Sequence, residues 1–216
     1  MSPRKYDSRL RDESARTTRT QVVAAARELF LAEGYAGTTV RKIAAAAGVS
    51  EQTVYTRIGN KAAILKAVYD VMLAGDDEPV PMADRPEFRR MRDAPDARSL
   101  LSSYAEVATR MDARLRPVLE LVYGARAVEP DLDLLASTMA AERRTGTLMF
   151  ARNFVARGFA RPGLGVDDVV DIVWVLNSPE VYLLQVRDNR LGDAEFQRWL
   201  AATLQTCLVA PAGPRS

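Results

Sequence analysis

Histidine is absent from the 216 residues, and Cys207 is the only cysteine. A Ser-His-Asp or Cys-His nucleophile relay therefore cannot be built. The usual zinc ligands are missing as well, and one thiol among carboxylates is a poor set. Neither a metal nor a cofactor is expected, and the chain does not read as an enzyme. The chemistry that remains is recognition. It is densest in "AGVSEQTVYTRIGNK", Ala47 to Lys61, where short hydrogen-bonding side chains stand beside a tyrosine and two cations. Residues 1–61 hold eleven Lys or Arg against six Asp or Glu, while the remainder holds nineteen against twenty-two. A basic end on a slightly acidic body suits a polyanionic partner.

The elements that must carry these groups read as helices. Thr18–Glu33 places Val22, Ala26, Leu29 and Phe30 on one face, and Gly34 suits the left-handed residue after a helix. Thr39 sits at an N-cap position, with Val40, Ile43, Ala44 and Ala47 behind it as a buried stripe. Gly48 ends that helix. Ser50 caps a second one, Glu51–Ile58, with Val54 and Ile58 inward, and Lys61 opens a longer helix to Ala74. Two short helices around a glycine-bearing turn form a helix-turn-helix, at about 39–58. The second would enter a major groove. Glu51, Gln52, Thr53 and Thr56 are then the groups at base edges, Gln52 being suited to adenine and the threonines to a base or a thymine methyl. Arg41 reaches a guanine or a phosphate, and Tyr55, Arg57 and Lys61 suit phosphate oxygens. Lys61 also lies at a helix N-terminus, which attracts anions.

Prolines 79, 81, 86 and 95 deny a continuous helix to Gly75–Ala97, which reads as a loop. Beyond it the chain is helical: Arg98–Leu115, Pro117–Val128, Leu132–Gly158, Asp167–Asn177, Pro179–Arg187 and Asp193–Val209. No alternating strand pattern competes, so the fold class is all-α. Pro117 and Pro179 suit first-turn positions or kinks, and Ser178-Pro179-Glu180 reads as a cap, a first-turn proline and an acid at the positive helix end. Gly146, in mid-helix, suggests close packing or a bend. Glu142 and Arg143 read as solvent-facing, or else as polar contacts to a ligand, and Cys207 as a small buried apolar group. No apolar run approaches the roughly 18 residues a membrane helix needs. The polar N-terminus lacks a secretory h-region, and a reducing cytoplasm fits the single thiol.

The stretch "TRTQVVAAARELFLAEGYAGTTVRKIAAAAGVSEQTVYTRIGNKAAILKAV" resembles the DNA-binding domain of the tetracycline-repressor (TetR) family of bacterial regulators, with "TTVRKIAAAAGVS" and "TVY…NKAAIL" as its hallmarks. The resemblance implies an N-terminal three-helix helix-turn-helix domain and a C-terminal helical bundle for ligand binding and dimerisation. In this chain they correspond to residues 16–75 and 98–216, with a basic flexible arm at 1–15 and a loop at 76–97. It implies a homodimeric repressor with a palindromic double-stranded DNA operator and a small apolar or aromatic effector as partners, and with no membrane role. Ligand-independent regulation, activation, or a helical enzyme or adaptor that keeps the motif are the alternatives.

By that resemblance Thr39 caps beside a phosphate, Tyr55 and Lys61 contact the backbone, and Arg41 reaches phosphate or base. Ile58 departs from the usual phenylalanine, and Thr56-Arg57 from common aromatic or histidine residues, which puts the operator sequence in doubt. The basic residues of the arm and its sequel (Arg4, Lys5, Arg9, Arg11, Arg16, Arg19) are a solvated tail or a minor-groove contact. An effector pocket in the body would draw on Tyr104, Met111, Leu115, Leu119, Tyr123, Met139, Phe150, Phe154, Trp174 and Asn177. The last two helices are too apolar for one narrow seam. Val169, Ile172, Val173 and Leu176 with Phe196, Trp199, Leu200, Leu204 and Leu208 are the expected dimer interface, an ordinary monomer core being the alternative.

Overall fold

The computed structural model describes residues 3–211, with side chains from Ser14 onward. Among the described residues every regular element is helical. The chain divides into two units: Met1–Asp77 with Pro117–Leu135, and Glu78–Arg116 with Ala136–Ser216.

The first unit contains α1 (Pro3–Gly37), α2 (Val40–Ala46), α3 (Glu51–Arg57) and α4 (Lys61–Ala74). Val22, Ala26 and Phe30 of α1 are buried with Ile43 of α2, Val54 of α3 and Ile64, Leu65 and Val68 of α4. These are the positions that helical spacing marks as inward, and α1 packs on all three of the others. Ala47 and Ile58, at the ends of the two short helices, are only half-buried. Gly34 interrupts α1 with φ 71° and ψ 178°. A Cβ there would meet nothing, so the left-handed backbone is what favours glycine. Residues 3–15, expected as a flexible arm, continue α1 in backbone. The side chains of Arg4, Lys5, Arg9 and Arg11 lie outside the described residues. Arg19 pairs with Asp77 at 2.9 Å, and Arg16 donates to the Asp77 carbonyl at 3.1 Å. These two cations thus tie α1 to the chain just beyond α4.

The second unit begins in the segment expected as a loop. Part of that segment is ordered helix: a 3₁₀ turn at Met82–Asp84, then α5 (Pro86–Arg92) with Pro86 in its first turn. The long helices α6 (Ala97–Ala125) and α7 (Pro130–Ala156) follow. The predicted break before Pro117 is absent, and α6 runs through it. Proline forfeits one backbone bond, and Pro117 is exposed, so no ring has to be fitted into a core at that point. The passage from one unit to the other falls between Arg116 and Pro117, and again between Leu135 and Ala136 in α7.

The remaining elements are α8 (Val166–Leu176), α9 (Pro179–Leu183), a π turn at Leu184–Asp188 and α10 (Asp193–Leu208). Ser178 caps α9 by accepting from the Val181 N–H at 3.2 Å, with Pro179 next. Taken together, Val166–Asp188 is long and apolar enough to cross a membrane by length and composition, contrary to the expectation from single runs. It is divided at Asn177–Pro179, however, and Val169, Val170, Val173, Tyr182 and Leu183 are core residues. Gly146 is exposed, and a Cβ added there would meet open space, so close packing does not explain it.

Candidate functional site

The helix-turn-helix is built from local hydrogen bonds. The Thr39 hydroxyl accepts from the Lys42 N–H at 3.2 Å, and Thr39 has an extended backbone. The Gly48 turn has φ 68° and is closed by the Val49 N–H on the Ala44 carbonyl at 3.0 Å. Ser50 accepts from the Thr53 N–H at 3.1 Å and caps α3, and Asn60 accepts from the Ala63 N–H at 2.9 Å and caps α4. An α3 of seven residues is too short to hold on its own, so these caps and the fully buried Val54 must hold it.

With Val54 inward, Glu51, Gln52, Tyr55, Thr56 and Arg57 are exposed on α3, and Arg41 is exposed on α2. Tyr55 keeps half its surface open. Three of the expected base readers are partly committed, Gln52 through its Nε2, which donates to Thr56 Oγ1 at 3.4 Å. The Thr56 hydroxyl donates to the Gln52 carbonyl at 2.8 Å, and the half-buried Thr53 shares a 2.8 Å hydrogen bond with Ser50.

Lys61 departs most from its expected role. Its ammonium donates to the Tyr35 carbonyl at 3.0 Å and stands 3.9 Å from the centre of the Tyr35 ring. The physical reason is the C-terminal end of α1, whose last carbonyls attract a cation, beside an aromatic face that does the same. What Lys61 offers an anion is its main-chain position at the start of α4. Tyr35 in turn donates to Asp131 Oδ2 at 2.6 Å and stacks on Phe30. Burial, and then the Asp131 carboxylate, push its phenol well above the ordinary value.

In the second unit several of the expected pocket residues come together. Tyr104, Phe150 and Phe154 form a ring series with centroids 4.5 and 5.6 Å apart. Asn177 Nδ2 donates to the Tyr104 hydroxyl at 2.9 Å. Leu115 and Met139 are buried, and Met111 and Trp174 half-buried. Leu119 and Tyr123 belong to the first unit and not to this set. Of the two settings expected for it, Arg143 takes the inward one. It donates to the carbonyls of Trp174 at 2.7 Å and Asn177 at 3.3 Å, and its guanidinium lies 3.5 Å from the Trp174 ring centre. The carbonyls at the C-terminal end of α8 draw it there. Glu142 remains exposed, and Cys207 is half-buried.

The expected dimer interface needs revision. Val169, Val173, Phe196, Leu200, Leu204 and Leu208 are buried within the chain itself, where α8 packs on α10. Buried side chains cannot meet a second copy. Ile172, Leu176 and Trp199 are half-open, and Val175, not among the expected residues, is 57% exposed. Sequence reasoning also passed over Asp112, Tyr182 and Asp193. The available signal was Asp112 itself, a carboxylate on α6 within the basic stretch Arg110–Arg116, one residue beyond the candidate pocket residue Met111.

Residues 22–68 match the family described as bacterial regulatory proteins, tetR family. Over 58 residues the chain is 40% identical to the HTH-type transcriptional regulator TtgR of Pseudomonas putida, a match spanning 27% of this chain and 28% of that protein. A second relative, the probable HTH-type transcriptional regulator ArpR of Pseudomonas putida, matches to the same extent. Among solved structures, a TetR-family regulator from Rhodococcus sp. superposes with a TM-score of 0.66 at 13% identity, over 89% of this chain and 98% of that one. The SmeT–triclosan complex superposes with a TM-score of 0.66 at 19% identity, over 89% and 92%. These likenesses concern the fold, whereas the N-terminal match concerns residues in register with the helix-turn-helix just described. On that ground residues 22–68 form a DNA-binding domain similar to that of the bacterial regulatory proteins of the tetR family, and the matched stretch spans just over a quarter of the curated relatives.

Proposed function

We propose that the chain is a homodimeric transcriptional repressor that leaves a palindromic operator when a small aromatic molecule occupies the second unit. The observation that carries this is the outer face of α3. There Gln52, Tyr55 and Arg57 are exposed beside Arg41, on a helix whose other side is anchored by Val54. Such a face presents an amide for adenine and cations for guanine or phosphate. Thr39 and Ser50 hold the two helix starts, and Glu51, Thr53 and Thr56 fill in around Gln52. Dimerisation sets two reading helices about 34 Å apart, one turn of duplex, so that both half-sites are met.

The aromatic lining at Tyr104, Phe150, Phe154 and Trp174 supports an effector with an aromatic body. SmeT, solved with triclosan, is a neighbour of the same fold in complex with such a molecule. Both α6 and α7 are continuous helices that run from one unit into the other. A displacement begun at the ring cluster therefore has a covalent route to the first unit. The coupling need reach only about 1.4 kcal/mol for tenfold in DNA affinity.

Selection of bound duplexes from a random pool at two salt concentrations tests the reading. The expected result is an enriched palindrome with half-sites about one helical turn apart. No enrichment, or sequence-blind binding that disappears with salt, overturns it.

A further inference from the structure

Buried polar atoms without hydrogen-bond partners lie in the second unit, in a region to which α6, α7, the α8–α9 junction and the start of α10 contribute. Asp112 Oδ2 and Asn177 Oδ1 are sealed from solvent and have no hydrogen-bond partner. Thr109 Oγ1, three residues before Asp112 on α6, is in the same condition. An orphaned buried acceptor forgoes its hydration with no return, so such atoms are rare unless something else occupies the site.

The nearby donors are already engaged. Arg143 gives its hydrogen bonds to the Trp174 and Asn177 carbonyls and lies flat on Trp174. Asn177 Nδ2 is on Tyr104, and the Tyr182 hydroxyl donates to Asp193 Oδ1 at 3.0 Å. Tyr104 accepts from Asn177, which leaves its own proton to give. Asp112 Oδ2 and Asn177 Oδ1 thus have no donor, while the Tyr104 and Thr109 hydroxyls keep protons to give in return.

Charge selects further. Asp112 feels Arg143 as an attractive neighbour and Asp193 as a repulsive one. A cationic guest would meet the guanidinium, and an anionic guest would meet Asp193 and, as pH rises past about 7, the charge on Asp112. A neutral group that donates and accepts, on a flat apolar body, fits both the polar atoms and the rings of Tyr104, Phe150 and Trp174. We infer that Asp112 and Asn177 are the polar anchor of the effector site, and that the effector is an aromatic molecule bearing a neutral hydroxyl or amino group, a phenol or an aromatic amine. This rests on the regulator reading above and names the ligand class for it. The Tyr104 and Phe150 rings are in contact, 4.5 Å between centroids, so a guest that enters between them must part them.

The test uses the purified full chain without DNA, so a failed operator selection and a failed ligand assignment give separate results. Thermal shift and calorimetry compare 4-hydroxybiphenyl and 4-aminobiphenyl with 4-methoxybiphenyl, which keeps the body and loses the donor. The expected result is at least tenfold tighter binding of the two donors, and loss of that preference in Asp112→Leu. If Asp112→Leu does not fold, Asp112→Asn serves, since it keeps one acceptor and turns an NH₂ toward the ligand's donor. Equal binding of the ether overturns the assignment, because a buried water then suffices to explain the acceptors. Absence of binding by all three, or a preference that survives the Asp112 substitution, overturns it too.

Discussion

At the scale of single residues, Lys61 and Asp112 are the instructive pair. Lys61 has the sequence context of a phosphate ligand, yet its ammonium is held by the Tyr35 carbonyl and ring. Lys61→Met is therefore expected to lower folding stability by about 1 kcal/mol, the scale of a hydrogen bond plus a cation–π contact. The salt slope of operator binding should stay the same. A slope smaller by about one would mean that the ammonium reaches DNA after all. Arg41→Ala, by contrast, should cost about 1–3 kcal/mol of operator affinity with no change in melting temperature, read by titration of the selected duplex.

Asp112 is pushed up to about 7, first by burial and further by Asp193, with Arg143 opposing. The sign follows from the folded value lying above the unfolded one, 3.8. The group's contribution to stability is full below the unfolded value and is lost as pH rises from about 4 through about 7. Tyr104 and Tyr182 also face this region, but both phenols are raised further from neutrality and stay protonated throughout. Asp112→Asn should flatten the pH dependence of the melting temperature between pH 4 and 7 and exceed the wild type at pH 8, by about 2 kcal/mol. Parallel curves for the two proteins would refute the titration of Asp112 in that window.

Among elements, α3 is the most dependent on its surroundings. Seven residues with a single fully buried side chain rest on the Ser50 cap and the Gly48 turn. Ser50→Ala is expected to cost about 1 kcal/mol in chemical denaturation and to weaken operator binding more than stability, because α3 frays first. Equal losses in the two measurements would indicate that α3 unfolds only with the rest of the unit. Gly146 gives the opposite case within α7. It is helical and exposed, with room for a methyl group, so Gly146→Ala should stabilise the protein by about 1 kcal/mol. A loss of stability there would indicate a partner or a bend that needs the glycine.

For the whole molecule, the question is what covers Val175. It is more than half exposed on α8, between the half-open Ile172 and Leu176, and Trp199 on α10 is half-open as well. A dimer through this face should sediment at about twice the 23.8 kDa chain mass. Val175→Glu should give a folded monomer that has lost operator binding, because one reading helix cannot hold both half-sites. A dimer that survives this change would move the interface away from α8. The change is surface-directed, so the circular dichroism and melting of the isolated chain should be nearly unaltered.

The recognition domain was legible because its physics is local. Caps at Thr39 and Ser50, the turn at Gly48 and the inward residues Ile43 and Val54 all follow from spacing within a few residues. The body was legible only as a set of helices, since apolar spacing says that a face is covered but not by what. Val169, Phe196 and Leu200 look the same in sequence whether they face their own chain or a second copy, and only packing assigned them to the chain's own core. Pro117 ought to end a helix by its lost hydrogen bond, but the proline is exposed and α6 continues through it. Likewise the roles of Lys61 and Arg143 depend on neighbours 26 and 34 positions away, and that of Asp112 on Asp193, from another helix altogether. Periodicity carries the element and the face. The partner of a long polar side chain is decided by what folding brings beside it.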